Sequence, residues 1–429
     1  MDSLYPKPQS APLARPDRRQ WLQRQLLIWE RPVWSALLAI VVYALIAADH
    51  GSLWQPSKYA YFNYLADAFL HGRLDLRVTP ASVHDLSLFN GRYYLYWPPF
   101  PALVLLPFVA LFGVGTSDIL VTIALGGLNV ALIAILLRRA NDAGVIQLSA
   151  LQRGLLVLCF ALGSTHTALA PYGRVWYTGQ LVGFACVVLA YLAALSLKRT
   201  AAFVCAGIAL GCALLTRNHL VLAGLWPACY LLWRHWQVLN VRGWRLAGYM
   251  LAGITPIVVA LALLGGYNWL RFGDLLDNGL AYHQMSAFFA RDYRRYGAFN
   301  LYYLPTNVWY EFIAYPLPWR QGSDLGGSLF LLTPVFFAAL WGLIQGRPRW
   351  STWALLATML LVAVPILLLM GTGWRQFGPR YTLDFTVPLL LLTAIGIRRW
   401  PLWLVGVLVT ISVLHYLIGA LYLGTVIGG

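Results

Sequence analysis

Three arginines lie where the chain is otherwise strongly apolar, and their chemistry suits phosphate binding. Arg217 stands between two apolar runs in LLTRNHLVL, and Arg375 and Arg380 precede another apolar run in GWRQFGPRYTLDF. Arginine is costly near hydrocarbon, so it usually has an anionic partner there, and its planar guanidinium matches phosphate with two parallel hydrogen bonds. Two structural explanations compete with this one. The side chains could reach the outer lipid headgroups, or Arg380 could pair with Asp384 one helical turn further on.

The stretch YAYFNYLADAFLHGRLDL contains the carboxylate of Asp67 within a helical pattern of apolar and polar residues. Apolar and aromatic residues recur there at helical spacing, whereas Asn63, Asp67 and His71 share the opposite face at i, i+4 and i+8. The pattern predicts an amphipathic helix at the membrane interface, ended by Gly72. From these residues alone, a helix with its polar face in water is favoured over a catalytic role for Asp67.

The elements that must position these residues are membrane helices. The chain is 60% hydrophobic and 11% charged, with a mean hydropathy of +0.65, whereas soluble domains carry about a quarter charged residues. Composition therefore predicts an all-α, polytopic membrane bundle. The net charge of +16 is interpreted as a record of topology and of contact with membrane lipids, not of nucleic-acid binding.

Apolar runs long enough to cross about 30 Å of hydrocarbon recur along the chain. Eleven spans are predicted at 33–48, 117–137, 152–171, 179–197, 201–216, 218–233, 247–268, 327–344, 351–371, 381–397 and 402–424. The region 201–233 has an alternative, one span followed by a buried half-helix. Residues 1–32 form a basic tail, with a surface helix before the first span, and residues 33–429 form a single transmembrane domain.

The segment 97–113 is apolar but rich in proline, and its path decides which side of the membrane every later residue faces. Five arginines before the first span place the N-terminus in the cytoplasm by the positive-inside rule. If 97–113 also crossed, the basic clusters at 138–139, 198–199, 347–349 and 398–399 would all face outward. We therefore predict a surface-lying or re-entrant segment, because its prolines also remove backbone donors that a continuous span needs.

This topology leaves two external loops, 49–118 and 271–326, and places most acidic residues in or beside them. All of the 15 acidic residues face outward except Asp2, Asp17, Glu30 and Asp142. Any chemistry that depends on a carboxylate is therefore expected on the outer face.

Three stretches carry a family resemblance: LADAFLHGRLDL, GRYYLYWPPFPALVLLPF and FGPRYTLDF. In this order the chain resembles bacterial integral-membrane glycosyltransferases of the C-type fold, the protein-mannosyltransferase-like enzymes that use polyprenyl-phosphate sugars. The resemblance implies a multi-pass protein of the bacterial inner (plasma) membrane with its site on the outer face. It also implies that a first-loop carboxylate activates a glycan, lipid or protein acceptor, while arginines hold the phosphate of a lipid-linked sugar donor.

One departure from the family pattern concerns the base itself. Counting back from Gly72, Lys58 stands where the relatives carry an acidic residue. Asp67 and Asp49 are the first substitutes for this carboxylate, and Asp85 is the third.

The sequence also suggests secondary substrate contacts, a possible metal and an alternative, non-catalytic function. His84 and Tyr381 are secondary contacts to the substrate. A divalent metal is compatible with the chemistry, although no ligand cluster requires one, and no cofactor is implied. The alternative function is a non-catalytic protein derived from this fold: a lipid-linked-sugar binding protein, a flippase or a membrane scaffold.

Overall fold

Helices dominate the computed structural model, which describes residues 27–51, 53–347, 349–373 and 375–427. The α-helices are α1 (Pro32–His50), α2 (Tyr61–Leu70), α3 (Phe100–Phe112), α4 (Asp118–Asp142), α5 (Ala150–Leu162), α6 (Val175–Ser196), α7 (Arg199–Leu214), α8 (Leu225–Trp233), α9 (Gly243–Phe272), α10 (Ala287–Tyr296), α11 (Leu304–Val308), α12 (Leu329–Leu332), α13 (Ala338–Gln345), α14 (Arg349–Leu368), α15 (Thr386–Gly396) and α16 (Leu402–Ile427).

Short 3₁₀ or π-helical turns and two small sheets connect these helices. The turns are Gly113–Gly115, Thr165–Ala168, Asn218–Gly224, Arg234–Val238, Leu280–Tyr282, Leu301–Tyr303, Trp309–Ile313, Pro334–Phe337, Arg380–Phe385 and Ile397–Arg399. The strands are β1 (Ser87–Phe89), antiparallel to β2 (Arg92–Tyr94), and β3 (Leu325–Gly326), parallel to β4 (Gln376–Phe377).

The predicted all-α polytopic bundle is confirmed. Within the described ranges, seven helical segments are long and apolar enough to cross a membrane: Pro32–His50, Asp118–Asp142, Val175–Ser196, Gly243–Phe272, Arg349–Leu368, Arg380–Arg399 and Leu402–Val426. The other four predicted spans also contain helix, but their helices are shorter or interrupted. The count of eleven spans stays a prediction.

The break predicted near Thr216–His219 separates two helices. Helix α7 ends at Leu214, and the 3₁₀ segment Asn218–Gly224 leads into α8. The division of the chain into a tail, a membrane domain and external loops stays a prediction, and residues 1–26 of the tail lie outside the described residues. The last part of the predicted surface helix, residues 27–30, is helical.

The proline-rich segment forms the 13-residue helix α3, which begins directly after Pro99 and contains Pro107. At 1.5 Å per residue it is about 20 Å long, too short for a hydrocarbon layer of about 30 Å. Leu105 and Val109 of α3 share a buried apolar cluster with α2. This packing supports the surface-lying or re-entrant interpretation, which remains a prediction.

Helix α6 lies at the centre of the bundle and is buried over most of its length. Helices α7 and α9 approach each other closely beside it because small residues face each other there. A Cβ at Gly207 would lie 2.0 Å from the Gly253 carbonyl oxygen, so Gly207 has no room for a side chain, and a Cβ at Gly253 would lie 3.1 Å from Phe203, a tight contact. Contacts of this kind between small residues are a common way for membrane helices to pack.

Candidate functional site

A cavity of about 850 Å³ opens between the two predicted external loops and the adjoining ends of α9 and α14. Its basic side chains are Lys58, Arg174, Arg217, Arg375 and Arg380. Asp85 is the only acidic residue among the described residues that line it. The cavity is therefore strongly electropositive, with one carboxylate.

Asp85 is held in place by pairing between the two loops. Its backbone N–H donates to the carbonyl of Gln284 (3.1 Å), and the N–H of Gln284 donates to the carbonyl of Leu86 (2.8 Å). Ser87 forms an isolated bridge with His283 and donates its hydroxyl to the Gly279 carbonyl (2.7 Å). The second loop thus fixes the carboxylate that the first loop supplies.

The Asp85 carboxylate accepts one hydrogen bond and lies beside two histidine rings. The indole N–H of Trp176 donates to Oδ2 (3.0 Å). The Nε2 atoms of His84 and His283 lie 3.3 and 3.2 Å from Oδ1. The Asp85 side chain is 16% exposed. Burial, followed by the charge of Asp85, raises the pKa of the neighbouring Tyr96 well above its usual value, so Tyr96 stays a neutral donor.

Arg380 is fixed by hydrogen bonds around its guanidinium. Nε donates to the Gly373 carbonyl (3.0 Å), Nη1 to Oε1 of Gln180 (3.2 Å), and Nη2 to the hydroxyl of Tyr381 (3.1 Å). The Tyr381 ring also faces Arg217, with ring-to-guanidinium distances of 4.4 Å for Arg380 and 5.2 Å for Arg217. Tyr381 therefore holds the two arginines on one side of the cavity.

Asp384 does not pair with Arg380, so the i, i+4 explanation for that arginine is wrong. Its Oδ2 instead lies 2.9 Å from Nη2 of Arg217 and 2.8 Å from Nε2 of His219. The physical reason is that Arg380–Phe385 is a 3₁₀ helix, in which residues three apart are aligned and residues four apart are not.

Of the three candidate carboxylates, two lie outside the cavity and one lines it. Asp67 lies outside the cavity and accepts two hydrogen bonds from Arg77, at 2.9 and 3.1 Å. Asp49 also lies outside it, and its side chain is 64% exposed. His84 lines the cavity beside Asp85. Asp85, the third choice from sequence, is the candidate that lies with the arginines.

Three lining residues adopt strained backbone conformations. Asp85, Arg174 and Arg375 have φ values of 66°, 74° and 49°, in the left-handed region that residues other than glycine seldom adopt. Arg375 is exposed, and its carbonyl accepts a hydrogen bond from Tyr177 (3.2 Å). Strain of this kind concentrates at functional sites, where the surrounding structure holds it in place.

Sequence reasoning missed several residues of this site. Lys58, noted only as a departure from the family pattern, lines the cavity itself, and so do Arg174, His219 and His283. Arg174 carried a usable signal, because on the predicted topology it is a basic residue in a short external turn, contrary to the positive-inside rule. His283 carried none, since its position depends on pairing between distant loops. Among the described residues, no group of three or more His, Cys, Asp or Glu is arranged to hold a metal ion.

The architecture is that of a polytopic helical membrane protein, and the resemblance to membrane glycosyltransferases of the C-type fold is confirmed at the level of the fold. ArnT from Cupriavidus metallidurans, in the apo state, is similar with a TM-score of 0.51 and 19% sequence identity, over 85% of this chain and 59% of ArnT. Its structure bound to undecaprenyl phosphate gives a TM-score of 0.49 at 19% identity, with the same coverage.

An archaeal protein also resembles the chain. The oligosaccharyltransferase of Archaeoglobus fulgidus, in the apo form, gives a TM-score of 0.44 at 13% identity, over 92% of this chain and 56% of that protein. The chain thus spans less than two thirds of the length of these neighbours. No protein-family model and no curated protein sequence matches it.

Proposed function

We propose that this protein transfers a sugar from a polyprenyl-phosphate-linked donor to an acceptor on the outer face of the bacterial inner membrane. The observation that carries the proposal is one cavity in which the described residues combine five lysine and arginine side chains with a single carboxylate. A charged lipid phosphate suits the basic side chains, and sugar transfer to a hydroxyl needs one positioned proton acceptor. The fold shared with ArnT supports the same class of reaction.

Asp85 is the proposed base. In the transfer step, the acceptor hydroxyl oxygen forms a bond to the anomeric carbon, and its proton passes to the Asp85 carboxylate. The bond between the anomeric carbon and the phosphate oxygen breaks, and its electron pair leaves with the polyprenyl phosphate. The hydrogen bond from Trp176 to Oδ2 and the proximity of two histidines to Oδ1 orient the carboxylate for this role.

Arg217, Arg375 and Arg380 are proposed to bind the donor phosphate and to stabilise the negative charge that grows on it. The guanidinium of Arg380 donates to three protein partners through Nε, Nη1 and Nη2, and these hydrogen bonds hold its positive charge in place before the donor binds. The Nε of Arg217 is buried and has no hydrogen-bond partner in the described part of the chain, so a phosphate oxygen would satisfy a donor that is costly to leave unpaired. Asp384 positions Arg217, and Tyr381 positions Arg217 and Arg380.

The experiment compares Asp85→Asn with Asp49→Asn in purified protein in lipid nanodiscs. Undecaprenyl phosphate binding and transfer from a radiolabelled polyprenyl-phosphate hexose to extracted membrane acceptors are both measured. We expect Asp85→Asn to lower transfer by about 10² to 10⁴-fold with binding retained. Asp49→Asn is the matched control, because its exposed carboxylate lies outside the cavity.

Two outcomes would change the conclusion. Equal transfer by Asp85→Asn and the wild type would show that Asp85 is not the base. If the wild type binds undecaprenyl phosphate but transfers sugar to no acceptor, the non-catalytic alternative is favoured, and Lys58 in the cavity is the residue that would explain it.

A further inference from the structure

A second, smaller cavity of about 190 Å³ lies beside the first, and the two share Lys58 and Arg174. His50 and Tyr172 line only the smaller cavity. Both shared cations also lie near one aromatic ring, since Lys58 Nζ is 5.7 Å and Arg174 Cζ is 5.4 Å from the centre of Tyr59. The proposed arginine site for the donor phosphate does not use this pair.

A buried carboxylate fixes the backbone on which both cations stand. Asp118 is 2% exposed. It accepts hydrogen bonds from the Ser57 N–H (2.7 Å), the Ser57 hydroxyl (2.6 Å) and the Arg174 N–H (2.8 Å). Lys58 directly follows Ser57, so one side chain fixes the positions of two basic residues that are far apart in the sequence. Gly173 allows this approach, because a Cβ there would lie 2.9 Å from Asp118 Oδ2.

His50 adds a buried polar group that lacks a partner. Its side chain is 10% exposed, and its Nε2 has no hydrogen-bond partner among the described residues. The nearest carboxylate is Asp49 Oδ2, at 3.6 Å, but that side chain is largely in solvent, where its charge is screened. Such a ring nitrogen, as an N–H donor, can supply a hydrogen bond to an anion in the cavity.

We propose that the smaller cavity is a second anion site, which binds a phosphate group between Lys58, Arg174 and His50. Asp118 fixes the backbone at both cations, so little backbone entropy is lost when the anion binds. The phosphate belongs either to a lipid headgroup or to free phosphate, and both present the same oxygens to the site. The assignment stands whether or not the larger cavity transfers sugar.

The test uses the full chain in phosphatidylcholine nanodiscs with two probes. Inorganic phosphate is titrated calorimetrically at constant ionic strength, and phosphatidic acid, added to the nanodiscs, is counted by native mass spectrometry. We expect saturable binding of at least one probe, and the probe that binds identifies the source of the phosphate. Lys58→Gln should weaken that binding by about tenfold, the effect of one charge-assisted hydrogen bond, and His50→Gln should also weaken it.

One control variant and one double-variant comparison separate the sites. Lys198→Gln removes a lysine that lines neither cavity, and it should change the affinity for the probe by no more than about twofold. Arg217→Gln removes a cation that lines only the larger cavity, so it serves as a background in which binding at that cavity is weakened. In this background Lys58→Gln and His50→Gln should still weaken the remaining binding. The proposal is overturned if neither probe binds saturably, or if Lys58→Gln and His50→Gln leave the binding unchanged in the Arg217→Gln background, because the phosphate would then occupy the larger cavity.

Discussion

Glu311 is a buried acid whose protonation should make the stability of the protein depend on pH. It lies in the π-helical turn Trp309–Ile313, is 1% exposed, and has no hydrogen-bond partner at either carboxylate oxygen among the described residues. Burial raises the pKa of Glu311 from 4.5 to about 8, opposed by the charge of Arg380 and reinforced by that of Asp384. The carboxyl group is therefore mostly neutral in the folded protein at pH 7.

The magnitude follows from this difference in pKa. Between pH 4.5 and about 8 the folded protein keeps the proton that the unfolded chain has lost. The free energy of unfolding should therefore fall by about 1.4 kcal/mol per pH unit in this window. The stabilisation is complete below pH 4.5, and the loss levels off above about pH 8. From pH 6 to pH 8 the expected loss is about 2 kcal/mol, because the slope halves as the pH reaches the pKa of the folded state.

Glu311→Gln removes the titrating group and nearly preserves its shape. Thermal unfolding in detergent micelles at pH 6, 7 and 8 should show a smaller fall in the midpoint for the variant than for the wild type. Asp274→Asn, which changes an exposed acid of the same predicted loop, should retain the wild-type dependence. Parallel pH profiles for Glu311→Gln and the wild type would refute the reasoning, because Glu311 would then titrate alike in the folded and unfolded chains.

Two further predictions concern packing and charge. Burial alone would raise the pKa of Glu30, but hydrogen bonds from Arg138 and Arg153 outweigh it and lower the pKa. The pairing of Glu30 with the two arginines thus stabilises the folded protein above pH 4.5. This stabilisation is lost as the pH falls through the lowered pKa of Glu30. Glu30→Gln should cost about 1–2 kcal/mol at pH 7 in denaturant unfolding, and an unchanged midpoint would contradict the ion pair. Gly396→Ala places a Cβ 1.8 Å from a carbonyl oxygen of α13 and should cost about 1–3 kcal/mol. Gly406→Ala, in open space, is its control, and equal thermal midpoints would contradict the close packing.

Local patterns in the sequence predicted the helices, including the one in the first loop. The expectation that the polar face of that helix lies in water was wrong, because Asn63 and Asp67 are buried. Asn63 donates to the Val114 and Thr116 carbonyls, and Arg77 binds Asp67. Hydropathy, proline content and 3.6-residue periodicity depend on neighbouring residues, so the helix ended near Gly72 and the break near Arg217 could be inferred without tertiary information. The cost of arginine near hydrocarbon pointed to Arg217, Arg375 and Arg380, and all three line the cavity.

The choice among the acids needed the tertiary structure. Asp67 was a first candidate because it lies on the polar face of a predicted helix, but its carboxylate accepts two hydrogen bonds from Arg77. Asp384 was expected near Arg380 by α-helical spacing, but the local 3₁₀ geometry aligns it differently, and Arg217 and His219 bind it instead.

The sequence by itself determined that this chain is a helical membrane protein, because lipid solvation acts on each segment separately, and it predicted most acidic residues and the three arginines Arg217, Arg375 and Arg380 at the outer face. Only the tertiary structure placed Asp85 in the cavity, since its position depends on the second loop pairing with the first. The contact between Ser87 and Gly279 spans 192 residues, and Asp118 similarly joins Ser57 to Arg174. Such pairings depend on how the whole bundle brings distant loops together, so no local pattern encodes them.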